Sequence, residues 1–164
     1  MSSLRRSETV WPDESIMIAI KIIGRYISLF LFIKNRIGMK ALIVDDSLES
    51  RMLLGKILSK EFGAEIVEAA NGEEAIKKIS SENPDVVFLD YEMPTMNGKD
   101  TLIAIRSNRA TRNLPVVIVT SHSEMVLVKE LLKYKVSLYL VKPISAEYLV
   151  KHISIIFPKP SSNR

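Results

Sequence analysis

The sequence predicts an α/β protein: a doubly wound, five-stranded parallel sheet with five helices. Three observations predict it. Short runs rich in Val, Ile and Leu alternate strictly with segments whose apolar residues recur at helical spacing. Several of the runs are continuously apolar, as in strands buried on both faces. Four runs release a polar residue at the same end: Asp45-Asp46 after Ala41–Val44, Asp90 after Val86–Leu89, Thr120 after Val116–Val119, and Lys142-Pro143 after Leu138–Val141. Strict alternation implies right-handed crossovers, and in an open parallel sheet those strand ends share one edge, where ligands bind.

The first strand is read over Lys40–Val44. Ser47 is placed to cap a helix over Leu48–Phe62, whose apolar positions Leu53, Leu54, Ile57, Leu58 and Phe62 keep helical spacing; Gly63 stops it. The second strand is Glu65–Ala69, followed by an Asn71-Gly72 turn and a helix over Gly72–Ser81 with Ala75, Ile76 and Ile79 inward. Asn83-Pro84 breaks that helix. The third strand is Asp85–Leu89 and the third helix Gly98–Ser107. Pro115 opens a fourth strand ending at Val119, and a helix over Ser123–Tyr134 follows. The fifth strand is Leu138–Val141 and the last helix Ala146–Phe157, after which Pro158 and Pro160 end the order. No internal repeat and no second domain are read, so the organisation is a leader (1–38), one domain (39–157) and a short tail (158–164).

The chain has 164 residues, 47% of them apolar and 26% charged, enough for one domain with a real core. The absence of cysteine excludes a disulfide framework and a cysteine metal site, and two histidines are too few for a histidine-rich centre. The net charge of +4 is uneven: residues 1–39 hold six basic and three acidic side chains, whereas the other 125 carry 17 and 16. The basicity belongs to the leader, and the domain itself gives no argument for nucleic-acid binding.

Within the leader, Ile16–Ile33 is apolar apart from Lys21, Gly24, Arg25 and Ser28. Three of these form a narrow polar stripe on a helix. The run is near the lower limit for crossing a bilayer, its two internal cations are costly there, and no small-residue cleavage site follows it. Three readings are open: a membrane-surface or weakly spanning helix, a segment packed on a partner, or an upstream translated stretch with Met39 as the true start. The direct run of Met39-Lys40 into the first strand favours the last.

The strand-end residues carry the chemistry. Two like charges 4 Å apart cost about 4 kcal/mol at an effective dielectric near 20. A cluster of Asp45, Asp46 and Asp90 therefore calls for a cation, and an all-oxygen ligand set suits Mg2+. Lys142 supplies a second positive charge. One reading accounts for the set: Asp90 is a nucleophile toward a phosphoryl group, whose oxygens are neutralised by magnesium and Lys142 and hydrogen-bonded by Thr120. Singly, each residue has a plainer role. Asp46, Ser47 and Thr120 suit helix caps, Lys142 a solvated surface lysine, and Tyr139 surface packing on an edge strand. His122 and His152 read as exposed side chains. The site rests on the conjunction.

Residues 40–157 resemble the receiver domain of two-component response regulators, of the single-domain chemotaxis type. The residues that carry the resemblance are Asp45-Asp46, Asp90-x-x-Met93-Pro94 with Gly98, Thr120, and Tyr139-x-x-Lys142-Pro143, in matching order and spacing. The resemblance implies a flavodoxin-like fold with strand order 2-1-3-4-5 and a phosphoacceptor at Asp90. It implies a magnesium site from Asp46, Asp90 and the backbone carbonyl of Glu92, with Asp45 assisting. It also implies a phosphate-sensing Thr120 coupled to a rotating Tyr139, and a cis Lys142-Pro143 peptide. The implied partners are a sensor histidine kinase or histidine phosphotransfer protein, and a downstream protein contacting roughly Ser123–Phe157. The implied location is the cytoplasm, with membrane contact only through the leader. No enzyme activity is expected beyond self-catalysed phosphoryl acceptance and loss.

Some positions depart from the family pattern. Leu138 replaces a glycine common before the switch aromatic and predicts a stiffer loop. Ser121 stands where alanine is usual. Glu92 and His122 occupy positions that tune acyl-phosphate lifetime in this family. Two other functions compete: a small-phosphoester hydrolase or phosphotransferase with an aspartyl-phosphate intermediate, and a phosphorylation-independent adaptor. The sequence shows no cap domain and no phosphate-cradling glycine loop.

Overall fold

The computed structural model describes residues 38–122 and 125–157. Five strands, β1 (Lys40–Val44), β2 (Glu65–Ala69), β3 (Val86–Asp90), β4 (Val116–Thr120) and β5 (Leu138–Val141), form one sheet in the order β2-β1-β3-β4-β5, every pair parallel. The helices are α1 (Leu48–Phe62), α2 (Gly72–Glu82), α3 (Gly98–Ser107), α4 (Met125–Leu132) and α5 (Ala146–Ile156).

Side chains alternate across a strand, and this period of two divides the core. Ala41, Ile43, Val86, Phe88, Val117, Val119 and Leu140 pack with Leu54, Leu58, Leu149 and Ile153 of α1 and α5. Leu42, Val44, Val87, Leu89, Val116 and Ile118 pack with Ala75, Ile79, Leu102, Ile105 and Leu131 of α2, α3 and α4. Each fully buried aliphatic or aromatic side chain contributes about 1.5–3 kcal/mol relative to exposure. β3 and β4 are buried along their whole length, so both must be uninterrupted apolar runs until the final residue.

Local chemistry sets the helix boundaries. Ser47, Asn71, Asn97 and Ser145 each accept a hydrogen bond from the backbone N–H three residues on, capping α1, α2, α3 and α5. Gly63 ends α1 in the left-handed region (φ 63°) and Asn83 ends α2 the same way (φ 50°). Before β5, the turn after α4 closes with i→i+3 bonds into the carbonyls of Glu130, Leu131 and Leu132. Lys135 stands there at φ 53°, a conformation that costs a residue with a Cβ roughly 1–2 kcal/mol.

Several expected boundaries move. β3 and β4 each run one residue later than expected, because the polar residue ending each run is the last rung of its ladder: Asp90 pairs with Val119 and Thr120 with Val141. Asp85 is excluded from β3, and its carboxylate instead accepts the Lys40 N–H (3.0 Å). Pro115 precedes β4, and its carbonyl accepts from Val87 N–H. α2 runs one residue further than expected and α5 stops one residue earlier, with Phe157 as its cap. α4 ends at Leu132, two residues before Tyr134; Ser123 and Glu124, where it was expected to begin, lie outside the described residues, as do 1–37 and 158–164. Leu53 keeps helical spacing yet is exposed, since the apolar stripe of α1 is wider than the face the sheet covers. No helix among the described residues is long and apolar enough to cross a membrane.

Candidate functional site

Register builds the site. Val44 pairs with Leu89, Asp90 with Val119 and Thr120 with Val141, so Asp45, Asp90, Thr120 and Lys142 follow one another along the sheet edge. Parity then sorts them. Asp45, Asp90 and Lys142 continue the α1/α5-facing series of Ile43, Phe88 and Leu140. Thr120 and Tyr139 belong to the opposite series, with Ile118. Two groups result, back to back.

The first group is a lysine between two carboxylates. Lys142 Nζ donates to Asp45 Oδ2 at 2.7 Å and to Asp90 Oδ2 at 3.0 Å. Asp45 is fixed from the other side by Ser47 N–H, which donates to its Oδ1 at 2.9 Å. Asp45 and Asp90 are both buried, whereas Asp46 is exposed. One oxygen from each of the three carboxylates lies within 4.8 Å of the others. Burial pushes the Asp90 carboxyl above its ordinary range; the Lys142 hydrogen bond and charge oppose this, and Asp45 adds to it. Burial also disfavours the charged ammonium of Lys142, but its hydrogen bonds to Asp45 and Asp90 together hold its pKa above the ordinary value.

This cluster fits a divalent cation. Asp45 has both oxygens engaged by Ser47 and Lys142, which leaves Asp46, on the solvent side, and Asp90 as the better-placed donors. Beside them lies a cleft of about 440 Å³ lined by Asp46, Tyr91, Glu92, Met93, Pro94 and Asn97. The hard, all-oxygen donor set suits magnesium.

The loop after Asp90 is held tightly. A Cβ on Gly98 would meet the Asp90 carbonyl oxygen at 2.2 Å and the Tyr91 Cα at 2.7 Å, so only glycine lets α3 start against the acidic strand end. Gly98 N–H donates to the Tyr91 carbonyl (2.9 Å). Thr95, at φ 70°, centres a tight turn in which Met96 N–H donates to the Pro94 carbonyl (2.8 Å). A β-branched residue in that region is strained. The Lys142-Pro143 peptide is cis.

The second group links Thr120, His122 and Tyr139. Thr120 is fully buried, and its hydroxyl accepts from His122 N–H at 3.2 Å. The Tyr139 hydroxyl donates to the His122 carbonyl at 2.9 Å. The His122 ring is not the exposed side chain expected. It bonds Glu92 Oε1 through Nε2 at 2.6 Å and meets the Tyr91 ring edge-on, bridging the β3–α3 and β4–α4 loops. Tyr139 is half-buried against the α3/α4-side core rather than lying on the surface. Ser121 is exposed, so its hydroxyl meets no packing, and Leu138 packs on the α1/α5-side core. His152 bonds the Tyr148 carbonyl and stays remote from the site.

One positioning residue escaped the sequence reading. Arg51 donates to the Asp45 carbonyl (2.8 Å) and the Asp46 carbonyl (3.3 Å) while its Nε pairs with Glu68 (2.9 Å). It holds the backbone of the acidic pair against β2. Its place in the first turns of the helix after that pair was the available signal.

A family model described as the response regulator receiver domain matches residues 41–154. Chemotaxis protein CheY of Pseudomonas aeruginosa is 34% identical over 121 residues, covering 74% of this chain and 98% of that protein. The protein-glutamate methylesterase/protein-glutamine glutaminase of Bacillus subtilis is 46% identical over 87 residues, but the match spans 52% of this chain and only 24% of that protein. Among solved structures, Vibrio cholerae chemotaxis protein CheY4 superposes with a TM-score of 0.69 at 29% identity, over 73% of this chain and 99% of that one. The CheX-CheY complex of Borrelia burgdorferi with BeF3 and magnesium gives 0.68 at 31% identity, over 74% and 90%.

Proposed function

This chain belongs to the response regulator receiver family, and we propose from that premise that Asp90 accepts a phosphoryl group from a phosphohistidine on a sensor kinase or phosphotransfer protein. The observation that carries the proposal is the Lys142 bridge: a buried carboxylate is held beside a fixed ammonium and two further carboxylates, at the mouth of a cleft. An Asp90 oxygen attacks phosphorus, the P–N bond of the donor breaks, and the imidazole leaves with the electron pair. Magnesium held by Asp46, Asp90 and the Glu92 carbonyl, with Asp45 assisting, would neutralise the phosphoryl oxygens. Lys142 supplies the other positive charge, and the Thr120 hydroxyl, once released from His122 N–H, donates to a phosphoryl oxygen.

The signal leaves by protein contact. Drawing Thr120 toward the phosphoryl group removes an acceptor from His122 N–H, and Tyr139 is bonded to the carbonyl of that same residue. A change at Asp90 is thereby passed to the α4–β5–α5 face, which we assign to the downstream partner. On the other side, the exposed apolar side chains Leu48, Met52 and Leu53 of α1 suit docking of the protein donor. Such a protein works in the cytoplasm, where histidine kinases present their phosphohistidine.

Labelling with a radioactive small phosphodonor tests the reading. We expect one hydroxylamine-labile phosphate per chain, dependent on magnesium, with no sustained turnover of p-nitrophenyl phosphate. Sustained turnover would instead identify a phosphoester hydrolase using the same aspartate.

A further inference from the structure

The far end of the β4–β5 half of the sheet carries a second charged site. There the α3–β4 and α4–β5 turns enclose a pocket of about 420 Å³, lined by Arg106, Arg112, Asn113, Lys133, Tyr134 and Lys135. We propose that this pocket binds a small polyphosphate anion.

Four of its six lining residues are cationic, and none is acidic. Arg112, Lys133 and Lys135 are exposed, and like charges gathered in one pocket add their potentials, which draws anions in. Among the described residues, no carboxylate forms an ion pair with Arg112, Lys133 or Lys135, and Glu130 acts on Lys133 only at longer range. Glu130, the acid nearest in sequence to the α4–β5 turn, is committed to Lys99.

The usual role of cations at helix ends is to satisfy terminal carbonyls. Arg106 performs it alone, donating to the carbonyls of Leu114 (2.9 Å), Tyr134 (2.8 Å) and Lys135 (3.1 Å). This fixes its guanidinium, ties the two turns together, and leaves two of its five N–H groups for a ligand. The other three cations are surplus to that task.

Lys135 adds an independent observation. It holds a left-handed backbone conformation (φ 53°) in which glycine would be relaxed. A strained residue that contributes a charge to an unneutralised pocket points to a use for that charge. Four cations, one of them fixed by the backbone, match an anion of three or four charges better than a single phosphate. Guanidinium groups favour phosphate oxygens, and the Tyr134 ring offers an apolar wall to a nucleoside.

The test is calorimetric titration of the full chain with tripolyphosphate, without magnesium or phosphodonor, so that its outcome is separate from that of Asp90 phosphorylation. We expect saturable one-to-one binding. Arg112→Gln with Lys133→Gln should weaken it at least tenfold, and Lys135→Gly severalfold. Lys56→Gln with Lys60→Gln, on exposed positions of α1, should change it less than twofold. Lys135→Gly relieves backbone strain, so its loss of affinity cannot be ascribed to misfolding. Binding of ATP tenfold tighter than tripolyphosphate would identify the ligand as a nucleoside triphosphate; equal affinity would identify the phosphate chain alone. Absent saturation, or equal weakening by the α1 pair, would overturn the proposal.

Discussion

The two ends of the sheet solve the same electrostatic problem in opposite ways. At the carboxyl-terminal edge, Asp45 and Asp90 are buried around Lys142, which sits within hydrogen-bonding distance of both. At the amino-terminal ends of β4 and β5, Arg106, Arg112, Lys133 and Lys135 line a pocket without a carboxylate. The acidic end is buried at Asp45 and Asp90 and internally bridged, with three carboxylates against one ammonium; at the basic end Arg112, Lys133 and Lys135 are exposed, and only Arg106 is tied down by the backbone. Burial explains the difference. A buried carboxylate needs a partner within the protein, because unpaired it would neutralise or destabilise the fold, whereas solvated cations can gather at little cost. The acidic end therefore carries the larger energies, and perturbing it should have the larger effects.

The largest expected effect is at Gly98. Gly98→Ala drives a Cβ into the Asp90 carbonyl, and we expect a loss of about 3 kcal/mol in denaturant unfolding, at the upper end of overpacking costs. A loss below about 1 kcal/mol would mean that the loop yields easily and that the acidic end is less rigid than described.

Lys142→Ala comes next. It removes two charge-assisted hydrogen bonds and leaves two buried carboxylates facing each other, for an expected loss of about 2 kcal/mol at neutral pH. Because the folded-state pKa of Lys142 is raised, its pairing stabilises the protein below the unfolded value of 10.5 and is lost as pH rises through the folded value. The wild type and variant should therefore converge in alkali; a constant difference across pH would show that the lysine acts through packing alone. We further expect Lys142→Ala to accept phosphate yet gain no affinity for its downstream partner.

Two substitutions should stabilise the protein, one at each end. The raised pKa of Asp90 means that the native state binds more protons than the unfolded chain just above 3.8, so this residue's contribution to stability falls as pH rises through the window between the two values. Asp90→Asn removes that liability and should raise stability at pH 7 by on the order of 1 kcal/mol, a few degrees in Tm. The gain should vanish in acid; a gain persisting there would assign it to packing. At the basic end, Lys135→Gly should stabilise by about 1 kcal/mol through relief of the left-handed backbone. A destabilised Lys135→Gly variant would show that the extra freedom of the unfolded chain outweighs the strain.

The smallest stability effect belongs to the bridge between the loops. His122→Ala should alter stability by less than about 0.5 kcal/mol, since Glu92 is largely exposed. It should shorten the lifetime of the aspartyl phosphate about threefold, a barrier change below 1 kcal/mol, by opening the mouth of the site to water. An unchanged lifetime would reduce the bridge to a surface contact.

Much of the acidic end was legible in the sequence, because buried parallel strands must be continuous apolar runs and the residue that ends each run is conspicuous. Asp45, Asp90, Thr120 and Lys142 announce themselves in this way. Their grouping was less visible. That Asp45, Asp90 and Lys142 share one side while Thr120 and Tyr139 share the other depends on strand parity, which the run boundaries alone blur. The strand ends at Asp90 and Thr120 were misplaced by one residue for the same reason: a polar side chain can occupy the last rung of a ladder. The Glu92–His122 bond joins residues 30 apart through rotamers that composition does not specify. The basic pocket was hidden because its cations come from two turns, around Arg106–Asn113 and Lys133–Lys135, whose meeting depends on the strand order. Charge counted along the chain placed the excess in the leader and missed this concentration.

The central claim is that Asp90 is the phosphoacceptor of a magnesium-dependent site. Intact-mass measurement of the wild type and Asp90→Asn after incubation with acetyl phosphate, with and without magnesium, tests it most directly. The account predicts one added phosphoryl group on the wild type with magnesium, and none on either protein without it or on Asp90→Asn under any condition. A phosphoryl group on Asp90→Asn, or equal labelling of the wild type in excess chelator, would contradict it.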